Sequence, residues 1–252
     1  MKLRNLLFVF GLTAVLSAAT PAEPTKNYQH VRDEHSAAIK AGTPVKVVNH
    51  YGDIRTRPAT ANTVEMVSHN QFQNTPKPQL NIVNEKDKLL IEVIFPEAKG
   101  DVTGKKIQRV DLTLFIPENS PLTIHGKHGL VEVKGHAARL EIEADRGHVR
   151  FKNKAETLVK TVQGDIKGNF KGKPAGKSHI ESIHGTIDLR FADKAAYKVK
   201  AVTKGHITSD YTMNVDWKGR ERLKHAELET GNAGAELMVD SRHGNVMLLR
   251  EI

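Results

Sequence analysis

Thirteen histidines occur in a chain that has no cysteine. Five of them flank the glycine of a recurring Gly-x-(Ile/Val) motif: His128, His184 and His243 precede one, and His148 and His206 follow one. Two or three imidazoles brought onto one edge could bind Zn²⁺, Cu²⁺ or Ni²⁺, or make that edge cationic below about pH 6.5. Neighbouring residues of an extended strand point to opposite faces, however, so the two groups need not meet. No His-Glu-x-x-His or other tight ligand spacing occurs. The plainer reading makes these histidines polar turn residues, with no metal or other cofactor; a metal-binding or pH-responsive protein is the alternative.

The carboxylates Asp165, Asp188 and Asp210 stand at different places relative to their glycines. A polysaccharide-cleaving β-helix would need clustered acids for Ca²⁺ and an Arg or Lys as proton acceptor. Arg150, Asp188 and Arg190 imitate such a set, but general acid–base work requires convergence in space, which this spacing does not promise. No Gly-x-Ser-x-Gly elbow, Walker A loop or Cys–His pairing is present. A non-catalytic protein is therefore expected, with a polysaccharide-active β-helix enzyme as the alternative. The basic, glycine-rich run from Lys167 to Lys177 could touch phosphate groups, or be an insertion between repeats, which we prefer. The single tryptophan, Trp217, is expected to cap the C-terminal end of the core; sugar stacking is the other role open to it.

The elements that would position these groups come from a repeat. Gly-x-(Ile/Val) recurs at Gly52, Gly129, Gly147, Gly164, Gly185, Gly205 and Gly244, more often than chance allows; the copy at Gly100 lies in a polar stretch and is set aside. From Gly129 to Gly205 the glycines fall 18, 17, 21 and 20 residues apart, and the gap of 39 to Gly244 is about two such periods. Self-similarity at a fixed period signals stacked repeats. Each unit reads as a short strand, a bend at the glycine where φ is positive or another backbone comes close, and a second strand. Apolar residues stand two and four places after the glycine, as in Val131/Val133, Val149/Phe151, Ile187/Leu189 and Val246/Leu248. This period of two turns one face inward. The predicted fold is all-β, a β-solenoid (single-stranded, β-helix-like) of about 20-residue Gly-x-Ile/Val repeats. Its core would be a column of Val131, Val149, Ile166, Ile187 and Ile207.

In register, the outward ladder at the third place reads Glu132, Arg150, Lys167, Asp188. Opposite charges on neighbouring strands contribute roughly 0.2–1 kcal/mol each. The fifth place reads Lys134, Lys152, Asn169, Arg190, Asp210, a mostly basic stripe. With rungs about 4.8 Å apart it would extend about 20 Å. Lys134, Arg150, Lys152, Lys167 and Arg190 are the candidate basic surface. The whole chain carries a net charge of +9. Such a balance suits anionic lipid headgroups, lipopolysaccharide or acidic wall polysaccharide. The sequence leaves the partner open: an anionic envelope polymer or lipid headgroups are the readings we carry, against a solvated face with no partner. Nucleic acid is not expected.

Val45-x-Val47 followed by Asn49-His50-Tyr51-Gly52-Asp53-Ile54 resembles the opening of the DUF4097 family of exported bacterial β-strand-repeat proteins, an adhesin-type family. The run Val110-Asp111-Leu112-Thr113-Leu114-Phe115-Ile116-Pro117 with Leu122-Thr123-Ile124 is similar to its middle segment. Gln163-Gly164-Asp165-Ile166 is the closest internal copy of its turn, and the resemblance covers roughly residues 43–250. It implies a β-solenoid and an adhesin-like surface role, and says little about activity. Most turns here lack the family's Asn and Asp, as at His128-Gly129-Leu130, His184-Gly185-Thr186 and His243-Gly244-Asn245, which weakens any site built on stacked Asp side chains.

Residues 1–19 read as a cleaved export signal: Lys2 and Arg4, the apolar run Leu6–Leu16, then Ser17-Ala18-Ala19. That run is too short for a stable anchor, which needs about 20 residues. Periplasmic or extracellular placement follows, without a transmembrane anchor after cleavage. Residues 20–42 read as a polar linker, with at best a short helix from Tyr28 to Ile39. Residues 43–120 read as an N-terminal β region and 121–252 as β-repeats continuous with it.

Overall fold

The computed structural model describes residues 28–97, 107–172, 176–218, 222–232 and 234–251. The signal segment 1–19 and the copy at Gly100 lie outside them, as does part of the Lys167–Lys177 run. The described residues hold strands and no helix. The first strands are β1 (Gln29–Ala38), β2 (Val45–Tyr51), β3 (Ile54–Ala59), β4 (Thr63–Gln73), β5 (Gln79–Asn84), β6 (Leu89–Ile94) and β7 (Ile107–Pro117). Next come β8 (Leu122–His128), β9 (Val131–His136), β10 (Leu140–Arg146), β11 (Val149–Asn153), β12 (Thr157–Gln163), β13 (Ile166–Phe170), β14 (Ser178–His184) and β15 (Ile187–Phe191). The last are β16 (Tyr197–Thr203), β17 (Ile207–Ser209), β18 (Asn214–Lys218), β19 (Leu223–Thr230), β20 (Ala235–Ser241) and β21 (Val246–Arg250).

These strands form two sheets. The front sheet runs β1-β4-β7-β3-β9-β11-β13-β15-β21-β17, and the back sheet runs β18-β19-β16-β20-β14-β12-β10-β8-β2-β6-β5. Each repeat unit gives one strand to the back sheet, bends at its glycine, and gives the next strand to the front sheet. The pairs β2/β3, β8/β9, β10/β11, β12/β13, β14/β15, β20/β21 and β16/β17 are thus parallel rungs in spatial order. The inward residues form two facing columns. Ile54, Val131, Val149, Ile166, Ile187 and Val246 pair in succession in the front sheet. Val47, Ile124, Ile142, Val159, Ile180, Val239 and Ala201 do so in the back sheet. All of these are buried, and each large aliphatic side chain contributes roughly 1.5–3 kcal/mol by leaving water.

The corner between the sheets explains the glycines. A Cβ on Gly147 would overlap the carbonyl oxygen of Gly129, one on Gly164 that of Gly147, and one on Gly185 that of Gly164. The stacked corners sit closer together than any side chain allows. The corner carbonyls find donors one rung on. Ser182 Oγ donates to Gly164 O at 3.1 Å, Ser241 Oγ to Gly185 O at 2.9 Å and Thr203 Oγ1 to Gly244 O at 2.6 Å. Gly168 breaks the apolar pattern four places after its glycine because the Phe151 ring occupies the space a side chain would need. Phe151, Phe170, Phe191 and Tyr197 pack ring on ring in the core beside it.

Four expectations need correction. The stretch from Tyr28 to Ile39, read as linker with at best a short helix, contains β1, an edge strand paired antiparallel with β4 over its full length. Its alternating polarity is that of a strand with one face on the sheet's inner side. Ile207 does not stand beside Ile187: Val246 lies between them, paired to both. The 39-residue gap is filled by the antiparallel hairpin β18–β19, which closes the back sheet beyond β16, and not by a second unit. Trp217 does not cap the core; it is 65% exposed, with Lys224 Nζ over its ring, and Tyr211 and Met213 pack against the core there instead.

Candidate functional site

The outward face of the front sheet carries the basic candidates. Register pairs Glu132 with Arg150, Arg150 with Lys167, and Lys167 with Asp188, so the third-place ladder stands in one line. Its charges do not pair along that line. Glu132 Oε2 accepts from Arg57 Nη2 at 2.9 Å, and its other oxygen lies 3.4 Å from Lys134 Nζ. Burial alone would raise the Glu132 pKa, but hydrogen bonds from Arg57 and Lys134 outweigh it and hold the carboxyl below its ordinary value. Asp188, nearly buried, has its own neighbour in Arg190, 3.6 Å away. With both acids engaged elsewhere, Arg150, Lys152 and Lys167 have no carboxylate within 4 Å among the described residues.

At the fifth place, Lys152 pairs with Asn169, and Asn169 with Arg190. A bulge interrupts the ladder near Lys134, where Gly135 has φ +67° and the pairing between β9 and β11 shifts. Beyond Arg190 the line meets Leu249, not Asp210, because β21 is interposed. Asp210 instead accepts from the Arg250 backbone N–H at 3.0 Å.

An open groove of about 290 Å³ lies across β9, β11 and β13. Lys134, Arg150, Lys152 and Lys167 line it, with Glu132 and Asn169 between them. Four of the five predicted residues therefore meet in one place; Arg190 stands one strand further on. A smaller recess adjoins it, sharing Arg150 and Lys167 and adding His148 and Asp165. Sequence reasoning missed Arg55 and Arg57. They occupy the third and fifth places after Gly52, so the same count that found the stripe would have placed them beside Glu132.

The back sheet's outer face differs. Its cations are interleaved with acids: Lys160 lies 3.5 Å from Glu181, Lys177 2.8 Å from Glu236, and His125 Nδ1 3.1 Å from Glu143. The front groove, by contrast, gathers four cations around a single carboxylate, Glu132, among its lining residues.

The flanking histidines fall into two sets. His128 stacks on Tyr51, and His184 stacks on His243, along the bend ridge. His148 belongs to a different ladder, at the place after the glycine, where side-chain acceptors catch the backbone N–H of the next rung. Asp53 Oδ1 accepts from Leu130 N at 3.0 Å, His148 Nδ1 from Asp165 N at 3.2 Å, Asp165 Oδ1 from Thr186 N at 2.9 Å and Asn245 Oδ1 from His206 N at 2.9 Å. Asp in the Gly-Asp-Ile turn thus serves the backbone of its neighbour. Among the described residues no three His, Asp or Glu side chains cluster as a metal site would require. Arg150 and Asp188 lie on strands separated by β13 and do not converge.

These features define a two-sheet, largely parallel all-β stack with a cationic groove on one face. The Toastrack DUF4097 family model matches residues 52–249, and the chain belongs to that family. No curated protein matches it in sequence. Among solved structures, a protein proposed to act in cell adhesion from Clostridium sporogenes is 13% identical, with a TM-score of 0.41, over 88% of this chain and 100% of that one. A proposed adhesin from Bacteroides fragilis is 9% identical, with a TM-score of 0.39, over 86% and 97%. Another from Parabacteroides merdae is 11% identical, with a TM-score of 0.29, over 88% and 96%.

Proposed function

We propose that this protein is an exported, non-catalytic, adhesin-like component of the cell envelope that holds a linear anionic polymer in its front-face groove. In this reading residues 1–19 direct export, the mature chain works in the periplasm or outside the cell, and Gly-x-Ile/Val units of about 20 residues wind the β-solenoid. The observation that carries the proposal is the groove: Lys134, Arg150, Lys152 and Lys167 converge from three adjacent strands, and three of them have no carboxylate within 4 Å among the described residues. A polymer lying across the strands would meet a new rung about every 4.8 Å, a spacing that suits repeated carboxylate or phosphodiester charges. Long-range attraction from a basic face also speeds encounter with such chains.

The test is binding of purified protein to a soluble polyuronate and to a polyglycerol-phosphate, measured by fluorescence anisotropy, with vesicles rich in anionic lipid as a separate arm. The doubly reversed variant Lys152→Glu/Lys167→Glu should lose at least tenfold in polymer affinity. Equal affinity in the variant would overturn the assignment of the groove. Binding to vesicles alone would overturn the polymer and leave lipid headgroups as the ligand.

A further inference from the structure

The last rung in sequence is not the last in space. β20/β21 occupies the sixth place, between β14/β15 on one side and β16/β17 on the other. Both neighbours are built from residues before 231. Four residues in sequence, among them Gly231 and Gly234, separate β19 from β20, and these two strands flank β16: Tyr197 pairs with Thr230 on one side and Ala235 on the other. The C-terminal rung therefore enters a gap whose two walls come earlier in the chain.

Those walls are alike. Val239 pairs with Ile180 on one side and Ala201 on the other, Ser241 with Ser182 and Thr203, and Val246 with Ile187 and Ile207. The corner repeats as well. Gly244 seats against the carbonyl of Gly185, and Gly205 against that of Gly244. Ser241 Oγ donates to Gly185 O, and Asn245 Oδ1 accepts from His206 N. All these contacts belong to the repeat unit, and none depends on which chain supplies it.

We propose that residues 235–250 are an exchangeable rung, and that the partner the gap accepts is the same rung of a second copy, giving a domain-swapped pair. Its alternating Ala235, Leu237, Val239 and Ser241, then Val246 and Leu248, are buried and match the gap place for place. Domain swapping is the exchange of one element, intact, between identical chains, and here that element hangs on a short connection that includes Gly231 and Gly234. A chain awaiting its last rung also has an alternative pairing to hand, Ile207 directly on Ile187, which is the arrangement the repeat order favours.

The chain has no cysteine, so engineered thiols report cleanly. Glu181 and Asp240 are register partners across the gap on the outer face of the back sheet, within the reach of a disulfide. Full-length Glu181→Cys and Asp240→Cys variants are mixed, unfolded in urea, refolded together over a range of concentrations and oxidised. Exchange predicts a disulfide-linked heterodimer whose fraction rises roughly in proportion to chain concentration. The double variant Glu181→Cys/Asp240→Cys must close its disulfide within one chain, which shows that the site is competent. A mixture of Glu143→Cys and Lys160→Cys, register partners between β10 and β12, controls for aggregation. No heterodimer across the gap, or equal heterodimer in the control pair, overturns the proposal.

Discussion

Replacing Gly147 by alanine tests the stacked corner. An alanine Cβ there would overlap the Gly129 carbonyl oxygen and crowd that residue's carbonyl carbon and nitrogen. These are backbone atoms of the adjoining rung, so no side chain can swing away. Relief requires prising these two rungs apart where Gly129 N–H donates to Arg146 O at 3.3 Å and Val131 N–H to His148 O at 2.9 Å. Overpacking a close-packed site costs about 1–3 kcal/mol, and the upper end applies when only backbone can yield. For a chain of this size, 3 kcal/mol lowers Tm by roughly 6–12 °C. Gly234→Ala is the matched control: no atom lies within 4 Å of its Cβ position, so its Tm should stay within about 2 °C of wild type. Both are read by thermal unfolding followed by circular dichroism. If Gly147→Ala melted with wild type, the glycine column would have no steric cause, and the stacking argument would fail with it.

Burial pushes His136 down to about 4 from 6.5, against smaller opposing effects from the backbone at Ser120 and Arg139 and from Glu118. The folded chain keeps it neutral where the unfolded chain protonates, so its contribution is complete above pH 6.5 and lost as pH falls to 4. That loss is about 3 kcal/mol, and His136→Leu should flatten the corresponding part of the urea midpoint's dependence on pH. Asp165→Ala removes the acceptor for Thr186 N–H and should cost about 1 kcal/mol, whereas Asp165→Asn, which keeps an acceptor, should cost less in the same unfolding assay. Phe170 is fully buried among Phe151, Phe191 and Tyr197, so Phe170→Ala should lose about 3–5 kcal/mol in chemical denaturation.

The alternation after each glycine was legible because period two and a fixed corner leave one way to bury Val131, Val149, Ile166 and Ile187. The basic groove was legible for the same reason: fixed count means fixed neighbour. What the sequence did not reveal has local causes. β1 has few apolar residues, because as an edge strand it buries only part of one face, so its alternation looked like a linker. The inverted order of the last two rungs was hidden since β17 and β21 carry the same pattern, and either fits beside Ile187. Glu132's engagement with Arg57 needed β3 to be placed beside β9, a pairing across 75 residues. The ladder of acceptors after the glycines was missed because His148, Asp165 and Asn245 look unrelated until their shared task, catching one backbone N–H, is visible.

The most direct test of the central claim is lysine footprinting by acetylation and mass spectrometry, with and without a saturating anionic polymer. Lys134, Lys152 and Lys167 on the front face should be protected together, while Lys160, Lys198 and Lys200 on the back sheet keep their reactivity. Protection of the back-sheet lysines, or uniform protection of both faces, would contradict the groove as the site.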